Sequence, residues 1–158
     1  MKLKLSKLVY MLAALAITSI AFAGPTPNFS GTWVLNTARG KNLGMVAAIQ
    51  ETATITQTPA KLTLDIASTF QGDTTKRQVS YDLAGKPVQN EGPMGDKAET
   101  VAKWDAGKLV VTWTAEGAVA GTESVRTETR ELSADGKTMT VTSQRGSNAP
   151  MELVYEKK

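Results

Sequence analysis

From Glu51 to the end of the chain, apolar and polar residues alternate in short runs of period two. That period belongs to strands with one face turned inward. Ala53, Ile55 and Gln57 alternate with Thr52, Thr54, Thr56 and Thr58; Leu62, Leu64 and Ile66 alternate with Thr63, Asp65 and Ala67. Val79, Tyr81 and Leu83 share one face of the next run, with Lys76, Gln78, Ser80 and Asp82 on the other. Further strands are predicted over 31–36, 87–90, 97–104, 108–115, 122–132, 137–144 and 151–155. Clusters such as Pro59-Ala60, Gln71-Gly72-Asp73, Asp105-Ala106-Gly107 and Ala134-Asp135-Gly136 separate them as turns. The Gly at the end of Asp105-Ala106-Gly107 suits a left-handed residue and a bulge. Only residues 37–50 break the pattern. Gly40 and Gly44 precede the run Met45-Val46-Ala47-Ala48-Ile49, which predicts one short helix after the first strand.

About ten short strands joined by tight turns leave no room for crossover helices, so neighbours must pair antiparallel. An open up-and-down sheet of that length has two bare edges, and closing it removes them. An all-β, antiparallel up-and-down barrel of about 8–10 strands is therefore expected, with a small β-sandwich as the alternative. Many strands carry Thr or Ser where a dry sandwich core would be apolar. That favours a barrel with a partly polar interior.

The first residues follow a different logic. Lys2, Lys4 and Lys7 precede an apolar run from Leu8 to Ile20, and Ala21-Phe22-Ala23 offers small residues for cleavage before Gly24. The run is about 13 residues, short of the roughly 20 that span a bilayer. Residues 1–23 are expected to be a cleaved signal peptide and residues 24–158 a single domain. The protein is then exported, periplasmic or secreted, from a bacterium. The full chain has 18 Lys and Arg against 15 Asp and Glu. Three of those lysines lie in the leader, so residues 24–158 balance at 15 against 15. No electrostatic case for nucleic acid or for an anionic membrane remains. The chain has no Cys and no His. That excludes disulfides, a Ser-His-Asp triad and imidazole metal ligands. Asp65, Asp73, Asp82, Glu99, Glu116 and Glu128 show no spacing diagnostic of paired-carboxylate catalysis.

The stretch Phe29-Ser30-Gly31-Thr32-Trp33-Val34-Leu35 resembles the opening of the calycins, the superfamily of lipocalins and fatty-acid-binding proteins. Ser68-Thr69-Phe70, Lys103-Trp104-Asp105, Asp135-Gly136-Lys137 and the closing Leu153-Val154-Tyr155-Glu156-Lys157 add weaker matches in the same order. The resemblance implies a bacterial exported lipocalin-like barrel. It also implies that Trp33 plugs the closed end, with a basic side chain across its face: Arg145 first, Arg130 second. In the fatty-acid binders an Arg two residues before the final Tyr helps hold the ligand carboxylate. Tyr155 matches the Tyr, but the Arg position is Leu153.

Other arginines can substitute. Arg126, Glu128 and Arg130 are spaced by two and share one strand face. Turned inward, they line a cavity, with Glu128 pairing one Arg and the other free for an anion. Turned outward, they form a solvated ladder of little energetic consequence. The opposite face is no more apolar, so the pattern leaves both options open. Tyr81, Trp104 and Trp113 are candidates for the cavity wall or for plain core packing. Met45, Val46 and Ile49 are candidates for an apolar lid. The expected function is non-catalytic binding of a small hydrophobic or amphipathic ligand, with Arg126, Arg130, Tyr155, Tyr81 and Trp113 as contacts. No cofactor, metal or nucleic-acid partner is expected, nor stable membrane insertion after cleavage, and the expected state is a monomer. The alternative is a ligand-free structural or protein-interaction barrel of the cell envelope. An enzyme is the third and weakest option.

Overall fold

The computed structural model describes residues 26–158, and the expected signal peptide at 1–23 lies outside the described residues. The period-two runs form ten strands: β1 (Gly31–Leu35), β2 (Gln50–Gln57), β3 (Lys61–Phe70), β4 (Asp73–Asp82), β5 (Val88–Glu91), β6 (Lys97–Asp105), β7 (Lys108–Glu116), β8 (Glu123–Leu132), β9 (Thr138–Arg145) and β10 (Met151–Lys157). All pair antiparallel in one sheet of order β4-β3-β2-β1-β10-β9-β8-β7-β6-β5. The sheet curls into a nearly closed up-and-down barrel. The first strand pairs with the last, Trp33 standing opposite Lys157 and Leu35 opposite Tyr155.

Two local details differ from the sequence reading. Residues 37–50 hold two 3-10 turns, Thr37–Arg39 and Gly44–Ala48, not an α-helix. Gly44 sits at φ 53°, outside the helical region, and the five residues after Leu43 make only tight i→i+3 bonds such as Ile49 N–H to Val46 O. The β6–β7 hairpin carries no bulge. Asp105 pairs directly with Lys108 across Ala106 (φ 46°) and Gly107 (φ 80°), two left-handed residues whose twist matches that of the strands.

The closed end is built on the opening motif. Trp33 is fully buried and its indole N–H donates to Phe29 O at 2.8 Å. Phe29 stacks on Trp104, with ring centroids 6.1 Å apart. The basic group over Trp33 is Lys157, its Nζ 5.2 Å from the ring centroid, not Arg145 or Arg130. Register explains the correction. Trp33 lies level with the start of β9, where Lys157 N–H reaches Lys137 O, whereas Arg145 ends that strand. Eight residues at about 3.3 Å each put Arg145 roughly 26 Å away, at the opposite end of the barrel. Gly31 makes the contact possible. It sits at φ 137°, and a Cβ there would fall 2.6 Å from Lys157 Cε.

The sheet's two edges, β4 and β5, are joined by a side chain. Asn90 Oδ1 accepts from Ser80 N–H at 2.9 Å, and Asn90 Nδ2 donates to Ser80 O at 2.8 Å. Its amide thus supplies both halves of a ladder pair. Thr100 holds it in place, accepting from Nδ2 at 2.6 Å and donating to Val88 O at 3.0 Å. Replacing Asn90 with Leu keeps the branched shape and removes all three bonds that the amide makes. Unfolding in urea should show a loss of about 2–4 kcal/mol, since three buried polar groups lose partners, together with faster amide exchange at Ser80. A loss below about 1 kcal/mol, the worth of one ordinary hydrogen bond, would mean the edges meet without it.

Candidate functional site

The inward faces do not fill the barrel. A cavity of about 490 Å³ remains, walled by Leu64, Ile66, Val79, Met139, Val141, Leu153 and Trp113 among others. Met45, Phe70 and Met94 also line it and are exposed, so they mark its mouth. Val46 and Ile49 stand beside Met45 there, where the apolar lid was expected. A shallower depression lies on the outer face, lined by Val119, Val125 and Thr127, and it gathers no buried polar group.

Register settles which face of β8 is inside. Trp113 on β7 stands opposite Arg126, Val111 opposite Glu128 and Leu109 opposite Arg130. Directly paired residues share a face, and Leu109, Val111 and Trp113 are buried. Arg126, Glu128 and Arg130 therefore point inward, while Val125, Thr127 and Glu131 face outward. Their side chains are only 18%, 12% and 9% exposed. Glu128 bridges the two guanidinium groups, Oε1 at 3.2 Å from Arg126 Nη2 and Oε2 at 3.0 Å from Arg130 Nη2. Arg126 also stacks on Trp113 at 4.6 Å, and Arg130 sits 5.8 Å above the Tyr81 ring with Nη2 3.5 Å from its hydroxyl. Tyr81 meets Trp113 edge to face.

A second polar group faces this one. Glu51 accepts from the Tyr155 hydroxyl at 2.7 Å and from Ser68 Oγ at 2.7 Å, and Arg77 Nη2 lies 3.7 Å away. The sequence reading does not single out Glu51 or Arg77, and it names Ser68 only within the Ser68-Thr69-Phe70 match. Arg77 was legible in principle, being two residues before Val79 on the face that carries Tyr81. Of the proposed contacts, Arg126, Arg130, Tyr81, Tyr155 and Trp113 all line the cavity. Arg145 is not among the residues that line it and stands away from Trp33.

The electrostatics favour an acceptor. Three cavity arginines face two cavity glutamates, and Asp73 joins only from the exposed start of β4. Both carboxylates are already engaged, whereas Arg126 Nε, Arg130 Nε and Trp113 Nε1 are buried donors that meet no protein acceptor. Burial opposes the charge on Arg130. Its electrostatic attraction to Tyr81 and Glu128 outweighs that cost and raises its pKa. Burial pushes the Tyr81 hydroxyl up to about 12, even though Arg130 pulls it down. Burial, reinforced by Glu51, also raises Tyr155 well above its ordinary value. Both phenols therefore stay protonated as donors.

No protein-family model and no curated protein matches the chain. Solved structures do. A fatty acid transporter designated REP1-NXSQ superposes with a TM-score of 0.63 at 17% identity, over 82% of this chain and 95% of its own. Apo lipid binding protein 8 of Caenorhabditis elegans gives 0.64 at 15%, over 82% and 95%. A Schistosoma mansoni fatty acid binding protein in complex with arachidonic acid gives 0.63 at 21%, over 82% and 96%. The chain thus shares the barrel fold of these structures.

The raised phenols give a pH signature. Their folded pKa lies above the unfolded value of about 10, so the stability they add is fully present below pH 10. It is lost as pH rises through about 12, the folded pKa of Tyr81. In an ultraviolet titration, Tyr81 and Tyr155 should stay protonated at pH 10 and ionise only as the barrel unfolds. Reversible ionisation of both near pH 10 in the folded protein would contradict this.

Proposed function

We propose that this chain, a calycin barrel, is a non-catalytic carrier that encloses one small amphipathic molecule with an acidic group. One observation carries the reading. A mostly apolar cavity of about 490 Å³ contains buried arginines whose donors outnumber the acceptors around them. Pockets of about 300–1,000 Å³ with a few convergent polar groups suit a single small ligand. In this reading Arg130, Tyr81 and Tyr155 meet the acidic group inside, and the aliphatic wall takes the rest. The fatty-acid and lipid binding named for the superposing structures supports the same chemistry. Leu153 stands where the fatty-acid binders often place an arginine, and Arg130 on β8 supplies the charge from the neighbouring wall. A cavity of this size also counts against the ligand-free, filled barrel.

The test compares a long-chain carboxylic acid with the alcohol of the same length, each competing with a fluorescent fatty-acid probe. The parent protein should prefer the acid. Arg130→Met should weaken the acid about tenfold or more, the worth of a hydrogen bond to a charged group, and the alcohol much less. Equal weakening of both would point to lost packing, and absence of binding by either would overturn the reading.

The same proposal places the protein outside the cytoplasm, with residues 1–23 removed. Its basis is the Lys-rich start, the Leu8–Ile20 run and Ala21-Phe22-Ala23. Expressed in full in a bacterium, the protein should be recovered from the periplasm or medium with Gly24 as its first residue by intact mass. Recovery from the cytoplasm with the first 23 residues attached would reject export.

A further inference from the structure

Beside the mouth of the cavity is a side pocket of about 210 Å³. Trp113 and Arg126 line both spaces, so their stack is the partition between them. Arg145 and Ser124 line the side pocket from the strand ends, and Asp96 and Glu116 bring acid to it.

Three features converge there. Register comes first: Arg126 and Arg145 stand directly opposite each other on β8 and β9, on the inward face. Like charges in that position repel. Glu128 offsets only Arg126, through Nη2, and among the described residues no ion pair includes Arg145. The second is a surplus of donors. Arg126 Nε and Trp113 Nε1 are buried without an acceptor, and Trp113 is only 4% exposed. The third is that neither acid of the pocket neutralises the pair. Asp96 is turned against Gly92, where a Cβ would approach its carboxylate. Glu116 is exposed and stands opposite Glu123. Neither forms an ion pair with Arg126 or Arg145.

We propose that this side pocket is an anion seat. A carboxylate, sulfonate or phosphate group bridges the Arg126 and Arg145 guanidinium groups, with the Trp113 indole N–H as a third donor. The seat is distinct from the Arg130–Tyr81–Tyr155 group inside the cavity. The group that fills it is either a free anion or a second acidic end of the cavity ligand. The latter source rests on the carrier reading, and the former does not. A ligand with acidic groups at both ends would reach from Arg130 past the Trp113–Arg126 partition.

Titration of the full chain with inorganic phosphate at constant ionic strength, followed by the indole N–H signals of the three tryptophans, tests the seat. The Trp113 signal should shift saturably while those of Trp33 and Trp104 stay still. Arg145→Gln, a change at an exposed position, should weaken phosphate about tenfold and leave the fluorescent fatty-acid probe within about twofold. Arg145→Lys should recover part of the affinity, since it restores the charge without the fork. A second arm compares a long-chain dicarboxylate with the monocarboxylate of equal length. Preference for the dicarboxylate, lost in Arg145→Gln, identifies the ligand-borne source; saturable phosphate binding without that preference identifies the free anion. The seat is overturned if neither phosphate nor dicarboxylate responds to Arg145→Gln. Phosphate binding that survives in a protein unable to bind the probe would leave the seat standing and sink the carrier reading alone.

Discussion

A ten-stranded sheet that curls on itself must reconcile two unpaired edges, and the cavity exists only because it does. Here the reconciliation falls to one amide. β5 has four residues and β4 has ten, so a full ladder between them is out of reach. Asn90 supplies a donor and an acceptor at backbone spacing to Ser80, and Thr100 fixes its orientation from β6. A side-chain amide can imitate a peptide group because it carries the same pair of functions in the same plane. The junction is local, so the rest of β4 remains an edge. Lys76, Gln78 and the threonines of that strand keep it polar, which discourages pairing with another chain.

The inner wall carries a cost that an apolar core would avoid. Buried charges are tolerated when each is paired and its hydrogen-bonding capacity is met. Glu51 and Glu128 meet that condition, the first through Tyr155 and Ser68, the second through two arginines. The arginines do not, since Nε of both Arg126 and Arg130 lacks a partner. The unmet capacity is all of one kind, donors without acceptors. A barrel selected only for stability gains nothing from that imbalance, whereas a barrel that receives an acidic group does.

Much of this architecture was legible from periodicity because strands with one buried face record that face in their own residues. β3, β7 and β9 do so through Leu62-x-Leu64-x-Ile66, Leu109-x-Val111-x-Trp113 and Met139-x-Val141. β8 records nothing, because charged residues occupy both faces. Its orientation resides in its partner: β7 declares an inside, and pairing imposes it on Arg126, Glu128 and Arg130. The cover of Trp33 escapes the sequence for a related reason. The resemblance points to Arg145, whereas the true neighbour is set by the pairing of the first strand with the last, which brings Lys157 over the ring. Glu51 and Arg77 escaped because each opens or interrupts a run that otherwise reads as apolar on that face.

The pairing of β1 with β10 also fixes when the barrel can form. Hairpins from β2 to β4 and from β6 to β9 need only their neighbours, but Trp33 lacks the Lys157 cover until β10 has paired with β1. Contacts between such distant positions close late and slowly, because the loop entropy of the whole chain must be overcome first. Until that pairing forms, the barrel has an open seam between β1 and β10. Loss of Lys157 alone would leave the ring without its cation in every copy made.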